Sequence, residues 1–229
     1  MQHLNVAIDG PAGAGKSTVA KAVAAKLGIR YLDTGAMYRA VALYAIRAGV
    51  GTKDEAALTR ILPEAEIRVA FTDAGQRVYL GEEDVTGSIR TQEISMGASD
   101  VSAHPCVRDK LSEMQRAVGR AYDVVMDGRD ITTNVLPDTP HKFFITASPE
   151  ERARRRFFEL QAKGKTDETY ENVLADLIRR DAQDSSRAYK PLVVATDAVV
   201  VDTTHMTADE AAALLIDRIR AREAAGEAK

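Results

Sequence analysis

The chain has 229 residues, 45% of them apolar, enough for one α/β domain with insertions, and its 31 basic and 34 acidic side chains leave a net charge of −3. That balance excludes a general attraction to nucleic acid or to an anionic membrane, so any phosphate binding has to come from locally clustered arginines. The single cysteine, Cys106, excludes an internal disulfide and a cysteine-built metal site, and it fits a reducing compartment.

The opening MQHLN runs straight into the apolar LNVAID (4–9), without the basic stretch and long apolar run of an export leader, and nothing later reaches membrane-spanning length. A cytoplasmic chain is expected, taken here as a monomer. LNVAID predicts a first strand. It is followed by GPAGAGKST (10–18), which fits G-x-x-x-x-G-K-[ST] in the strand-to-helix context that makes such a match meaningful. Glycines let successive N–H groups point inward around phosphates, and the helix amino terminus adds partial positive charge. Gly10, Pro11, Ala12, Gly13, Ala14, Gly15, Lys16, Ser17 and Thr18 are therefore expected to hold the phosphates of a nucleotide. Lys16 would reach the outer phosphates and the Ser17 hydroxyl would ligate Mg²⁺.

The first helix is predicted to start near Gly15, to bury Val19, Val23 and Leu27, and to stop at Gly28. RYLD (30–33) is a second strand, and DTGAMYR places Arg39 in the helix behind it, which Gly49 ends. AEIRVAFTDAGQRVYLGEEDVTG (65–87) alternates around the turn DAGQ and reads as a small β insertion. DVVMDG (123–128) is a third strand running into MDGRD. Asp127 is there a candidate to hold a magnesium-bound water, or a carboxylate that only orders the strand end. HKFFITA (141–147) and AVVVD (198–202) complete five near-continuous apolar strands separated by helices. That pattern implies a parallel sheet covered on both faces.

Ser148, Pro149 and Glu151, and again Thr207 with Glu210, mark helix starts. The last helix is expected to fray after Ala224. From Glu151 to about Arg187, two arginine-rich helical segments joined by KGKTD suggest a mobile lid. The expected organisation is a core (1–64, 88–150 and 188–229), the insertion (about 65–87) and the lid (about 151–187).

The loop alone names no reaction. A GTPase switch would carry Asn-Lys-x-Asp, and Asp-x-x-Gly after its second core strand; neither is found. Arginines instead gather where a second anion would sit: Arg39, Arg129, Arg152, Arg154, Arg155, Arg156, Arg179, Arg180 and Arg187. Guanidinium pairs phosphate oxygens and neutralises charge as a phosphoryl group moves between them. At least half of the lid arginines are read as a solvated face with partners three or four residues away. Arg39 and Arg129 follow the carboxyl ends of parallel strands, where open α/β sheets bind ligands.

IDGPAGAGKST, YLDTGAMYRA, GEEDVTGSIRTQE, DGRD, SPEERARRR and RRDAQDSSRAYKPL, in this order and spacing, resemble the bacterial cytidylate kinases, nucleoside monophosphate kinases of the P-loop NTPase fold. The resemblance spans nearly the whole chain. It implies that Thr34, Arg39, Arg129 and Arg187 receive the phosphate of CMP or dCMP, that Asp184 contacts the sugar hydroxyls, and that Ser99, Arg108 and Asp130 read the base. Cytosine's N4 amino donor suits a carboxylate or hydroxyl, and its N3 and O2 acceptors suit arginine. Lys16, Arg129, Arg180 and Arg187 are the expected catalytic cations. Read without the resemblance, Asp184 and Arg187 simply pair on a helix and Ser99 caps one. A kinase for another acceptor, such as UMP or shikimate, would share loop and lid but not the base-reading set; a non-catalytic nucleotide-binding module would need no acceptor-side arginines.

One departure stands out. After DGRD the family commonly continues Ile-Gly-Thr, whereas this chain reads Ile131, Thr132, Thr133. A side chain replacing glycine there puts the local backbone angle or the fit of the sugar in question.

Overall fold

The computed structural model describes residues 3–162, 164 and 168–227. Apart from Gly164, the KGKTD linker of the expected lid lies outside the described residues. In chain order the first half comprises β1 (Asn5–Asp9), α1 (Lys16–Leu27), β2 (Arg30–Asp33), α2 (Thr34–Arg47), α3 (Glu55–Ile61), β3 (Ile67–Thr72), β4 (Gly75–Leu80), β5 (Glu83–Asp84), α4 (Gln92–Val101) and α5 (Pro105–Ala121). It continues with β6 (Val124–Gly128), β7 (His141–Thr146), α6 (Pro149–Ala162), α7 (Tyr170–Ser186), β8 (Val199–Asp202) and α8 (Ala208–Glu227).

The large sheet has five strands in the order β2-β6-β1-β7-β8, so the expected α/β architecture is present. β1 and β7 run parallel with Val6 opposite His141, and β7 and β8 run parallel with Phe143 opposite Val199. Sequential strands that are parallel need crossovers, and helices supply them. β1 and β7 are apolar on both faces, and Val6, Ala7, Ile8, Phe143 and Ile145 are buried. β8 departs from that pattern. As the last strand it is covered on one side of its pleat, and Val200 is 55% exposed while Val201 is buried.

The chain divides into two compact units, one of Arg30–Val124 and one of Leu4–Ile29 with Val125 onward. In the second unit α1 buries Val19, Ala20, Val23 and Ala24 and ends where Gly28 turns left-handed (φ 67°), its N–H reaching the carbonyls of Ala24 and Ala25. Leu27, expected on the same face, is only half-buried. α8 (Ala208–Glu227) packs against α1. Its start is a complete capping box: Thr207 Oγ1 accepts from the Glu210 N–H (3.2 Å), and the Glu210 carboxylate accepts from the Thr207 N–H (2.8 Å). At α6 half of the box forms. Ser148 Oγ accepts from the Glu151 N–H at 3.2 Å, while the Glu151 carboxylate turns to Arg154 and Arg155.

In the first unit the Asp33 carboxylate accepts from the Ala36 N–H (3.0 Å) and caps α2, which packs against α4. β3, β4 and β5 form a separate antiparallel sheet, the predicted β insertion. Its turn is tighter than DAGQ: Thr72 faces Gly75, so Gln76 already lies in β4. The Gln76 amide accepts from the Asp33 N–H (2.7 Å) and donates to the Asp33 carbonyl (3.2 Å), fixing the insertion to the end of β2. No described helix is long and apolar enough to cross a membrane.

Candidate active site

The phosphate loop lies between the end of β1 and the start of α1. A Cβ on Gly10 (φ 148°) would fall 1.9 Å from the Ile145 carbonyl oxygen, so no side chain fits there. Gly13 (φ 76°) adopts a backbone that side chains resist, with the Arg152 side chain 3.2 Å from its would-be Cβ. α1 has no side-chain cap, in contrast to α2, α3, α4 and α7, whose caps are Asp33, Asp54, Thr91 and Thr169, and no acidic residue lies in its first turn. The amino terminus of α1 therefore presents N–H groups and partial positive charge to an anion.

Lys16 is buried at that terminus and donates to the Pro11 carbonyl at 2.6 Å. Burial lowers its pKa to about 7, with Arg129 pushing the same way and Asp127, Asp9 and Asp184 opposing. Next to it, Ser17 Oγ donates to Asp127 Oδ2 at 2.7 Å, which places the two residues predicted to serve a metal side by side. Among the described residues no group of three or more His, Cys, Asp or Glu side chains is arranged to hold a metal. One hydroxyl and one carboxylate are the donor set of a Mg²⁺ that draws its remaining ligands from water and substrate phosphates.

Beyond Asp127, the carboxyl end of β6 delivers Arg129. Its Nε donates to Asp184 Oδ2 at 2.7 Å, and Arg187 approaches Asp184 Oδ1 at 3.6 Å. Burial works to raise the Asp184 pKa, but Arg129 and Arg187 overcome it and hold the carboxyl below its ordinary range. Arg129 is held above its ordinary value by Asp184 although burial acts against it. The pairing of Asp184 with Arg187 is thus real, and Arg129 joins it. Lys16, Ser17, Asp127, Arg129, Asp184 and Arg187, named from the sequence, all belong to the second unit.

Sequence reasoning missed Asp9. Fully buried at the end of β1, it accepts from the Ile131 N–H (2.9 Å), the Thr132 N–H (2.7 Å) and the Thr132 hydroxyl (2.6 Å). Burial raises its pKa to about 6 against these bonds. A carboxylate closing an apolar strand just before the loop was the available signal. Residues 131–135 form one turn of π-helix, in which the Val135 N–H reaches the Asp130 carbonyl. Thr132 has no left-handed backbone, so the departure from glycine carries no strain and adds a bond to Asp9. Asp130 is buried and accepts from Asn134 Nδ2 at 3.0 Å.

The first unit holds the remaining predicted residues. Thr34 is buried at the first position of α2, and Arg39, one turn further on, donates to Asp33 Oδ2 at 2.6 Å. Ser99 lies inside α4, whose cap is Thr91. Arg108 is buried on α5, donates to the Ser102 carbonyl (3.1 Å) and lies 5.7 Å from the Tyr38 ring centroid.

The lid arginines divide by direction. Arg154, Arg156 and Arg179 make solvated pairs with Glu151, Glu159 and Asp176 at 2.7 to 2.8 Å. Arg180 is half-buried, 3.8 Å from Asp176, and burial lowers its pKa. Arg152 and Arg155 turn inward, toward the phosphate loop and the segment after β8.

A family model described as cytidylate kinase matches residues 6–221. The cytidylate kinase of Bacillus pumilus is 49% identical over 94% of this chain and 96% of its own length. That of Mycobacterium leprae is 49% identical over 98% of this chain and 99% of its own, and that of Caldicellulosiruptor bescii 47% identical over 92% of each. With the family match covering the phosphate loop, the DGRD segment and the arginine-rich helices alike, the chain belongs to the cytidylate kinase family.

Proposed function

We propose that the chain transfers the γ-phosphoryl group of ATP to the 5′-phosphate of CMP or dCMP, releasing ADP and the diphosphate. It works as a cytoplasmic monomer whose single kinase domain comprises the core (1–64, 88–150, 188–229), the insertion and the lid. One observation carries the reading: a buried lysine at the open end of α1 stands in the field of Arg129, Asp127, Asp9 and Asp184. Such an arrangement suits a site that binds and redistributes anionic charge.

In this reading residues 10–18 hold the ATP phosphates, with Lys16 on the outer ones. Ser17 and Asp127 would hold Mg²⁺, which when bound neutralises phosphate charge. Thr34, Arg39, Arg129 and Arg187 receive the acceptor phosphate, Asp184 the sugar hydroxyls, and Ser99, Arg108 and Asp130 the base. Arg180 serves the moving phosphoryl group. The acceptor oxygen is already ionised at neutral pH, so no general base is needed; alignment and charge neutralisation by Lys16 and the arginines lower the barrier. Closure of the lid excludes water and limits hydrolysis.

Purified protein with MgATP and a panel of CMP, dCMP, UMP and shikimate tests the reading. ADP release should rise with CMP and dCMP; release unaffected by either would overturn it. Asp130→Ala should raise KM for CMP more than for UMP, and equal effects would remove the base-reading role.

A further inference from the structure

An anion-binding loop works only if its peptide planes are turned so that the N–H groups face the phosphates. In a trans peptide the carbonyl points opposite to the following N–H. Donors that hold the carbonyls on the outer side of the loop therefore aim the N–H groups inward. Two such donors are present in the second unit. Arg152 Nη1 reaches the Ala12 carbonyl at 3.0 Å and Thr203 Oγ1 the Ala14 carbonyl at 3.2 Å. The peptides so held carry the N–H groups of Gly13 and Gly15.

Both outer donors are themselves fixed. Arg152, 3% exposed, donates through Nε to the Ala147 carbonyl (2.9 Å) and pairs with Asp181 on α7 (2.6 Å). One guanidinium thus joins both lid helices to the peptide ahead of Gly13. Ala12 also packs against the small apolar cluster of the lid formed by Ala153, Leu160, Val173 and Leu177. Thr203 is equally buried, just past β8. Its hydroxyl shares one proton between two carbonyls, Ala14 at 3.2 Å and Thr146 at 3.0 Å, the second of which also accepts from the Thr203 N–H at 2.8 Å. Arg155 donates to Thr203 Oγ1 (3.2 Å) and to its carbonyl (2.5 Å), occupying the hydroxyl's acceptor side and leaving its proton to these two carbonyls.

We propose that Thr203 and Arg152 are positioning residues that hold the phosphate loop in its anion-binding form from behind, and that through Arg152 the arrangement of the lid helices sets the affinity for ATP. The proposal rests on the phosphate-loop reading, and the experiment separates the two. Equilibrium binding of ATP is measured for the wild-type chain, Thr203→Val, Thr203→Ser and Arg152→Lys, together with KM for ATP and for CMP and with thermal midpoints. Thr203→Val keeps the shape and removes the donor. It should weaken ATP binding by about tenfold, the loss expected for one misoriented contact, leave KM for CMP within a factor of two or so, and be rescued by Thr203→Ser. Arg152→Lys keeps the charge but loses the two-armed hold, Nε on the Ala147 carbonyl and Nη1 on Ala12 and Asp181, and should weaken ATP likewise. Lowered thermal midpoints with unchanged ATP affinity would reduce both residues to structural supports and overturn the proposal. Parallel rises in KM for ATP and CMP would overturn it as well. Failure of the wild-type chain to bind ATP would instead refute the phosphate-loop reading itself.

Discussion

Arg129 Nε and Asp184 Oδ2 lie 2.7 Å apart, in the same carboxylate that Arg187 approaches at 3.6 Å from its other oxygen. One anion thus keeps two cations in place, and both are assigned to the incoming phosphate. Removing it would leave two guanidinium groups repelling each other. Asp184→Asn is expected to raise KM for CMP by about tenfold or more while KM for ATP changes little, because a lost charge-assisted bond is worth about 1.5–3 kcal/mol. Initial rates at fixed ATP check it. The depressed pKa of Asp184 means that its contribution to stability is present above its ordinary titration range and is lost only as pH falls below it. KM for CMP should therefore show no step from this group between about pH 5 and 9.

Lys16 provides a proton-linked signature. With its pKa lowered to about 7, a large fraction is neutral in the free chain at slightly alkaline pH. Arrival of ATP restores the charge. Calorimetry in buffers of different ionisation enthalpy should show proton uptake on ATP binding near pH 7.5 and almost none at pH 6. In Lys16→Met the uptake should vanish, and kcat should fall by about 100-fold or more. The sign for folding is opposite to that of a paired lysine. The unfolded chain holds this proton up to about pH 10 and the folded chain releases it near 7, so the site makes stability rise with pH between those values.

Ser17 and Asp127 should reveal their role through metal demand. Asp127→Asn and Ser17→Ala are expected to raise the free Mg²⁺ needed for half-maximal rate by roughly 10–100-fold, as loss of a ligand or its orienting partner does. A titration of Mg²⁺ at constant ATP reads this directly. Unchanged metal demand would leave the 2.7 Å bond between them as a brace for the end of β6.

Thr132→Gly is expected to cost about 2–3 kcal/mol of folding free energy, from the lost hydroxyl-to-carboxylate bond and the added freedom of glycine. Thr132→Ser should recover most of it in urea unfolding. Asp9 gives this region a pH dependence of its own. Its pKa is raised to about 6, so the folded chain keeps a proton that the unfolded chain has already shed. The stability it contributes is complete below about pH 4 and is lost as pH rises through about 6.

Much of this was legible in the chain because the relevant signals are local. The five strands, the bounds of α1 at Gly28 and the capping box at Thr207 depend on neighbours within a few residues, and they appear where propensity and capping place them. Side-chain direction is a tertiary property. Nothing in EERARRRFFEL distinguishes Arg152, which reaches Ala12, from Arg154, which pairs with Glu151 in solvent. Thr203 carries no signal of its own, since its partner Ala14 is 189 positions away. Leu27, expected to be buried and found half-buried, shows the same limit: which neighbours cover a helix face is not written in that helix's own periodicity.

The place of β1 in the sheet bears on how the protein is made. β1 lies between β6 and β7, and its register with β7 begins at His141. It cannot be enclosed until β7 has been synthesised, and the Ala14 carbonyl meets the Thr203 hydroxyl only when that residue emerges. Contacts of such sequence separation slow assembly, because the loop entropy is spent before the contacts reward it. The GPAGAGKST segment is therefore among the later features to reach its final form, since its contact with Thr203 spans 189 positions.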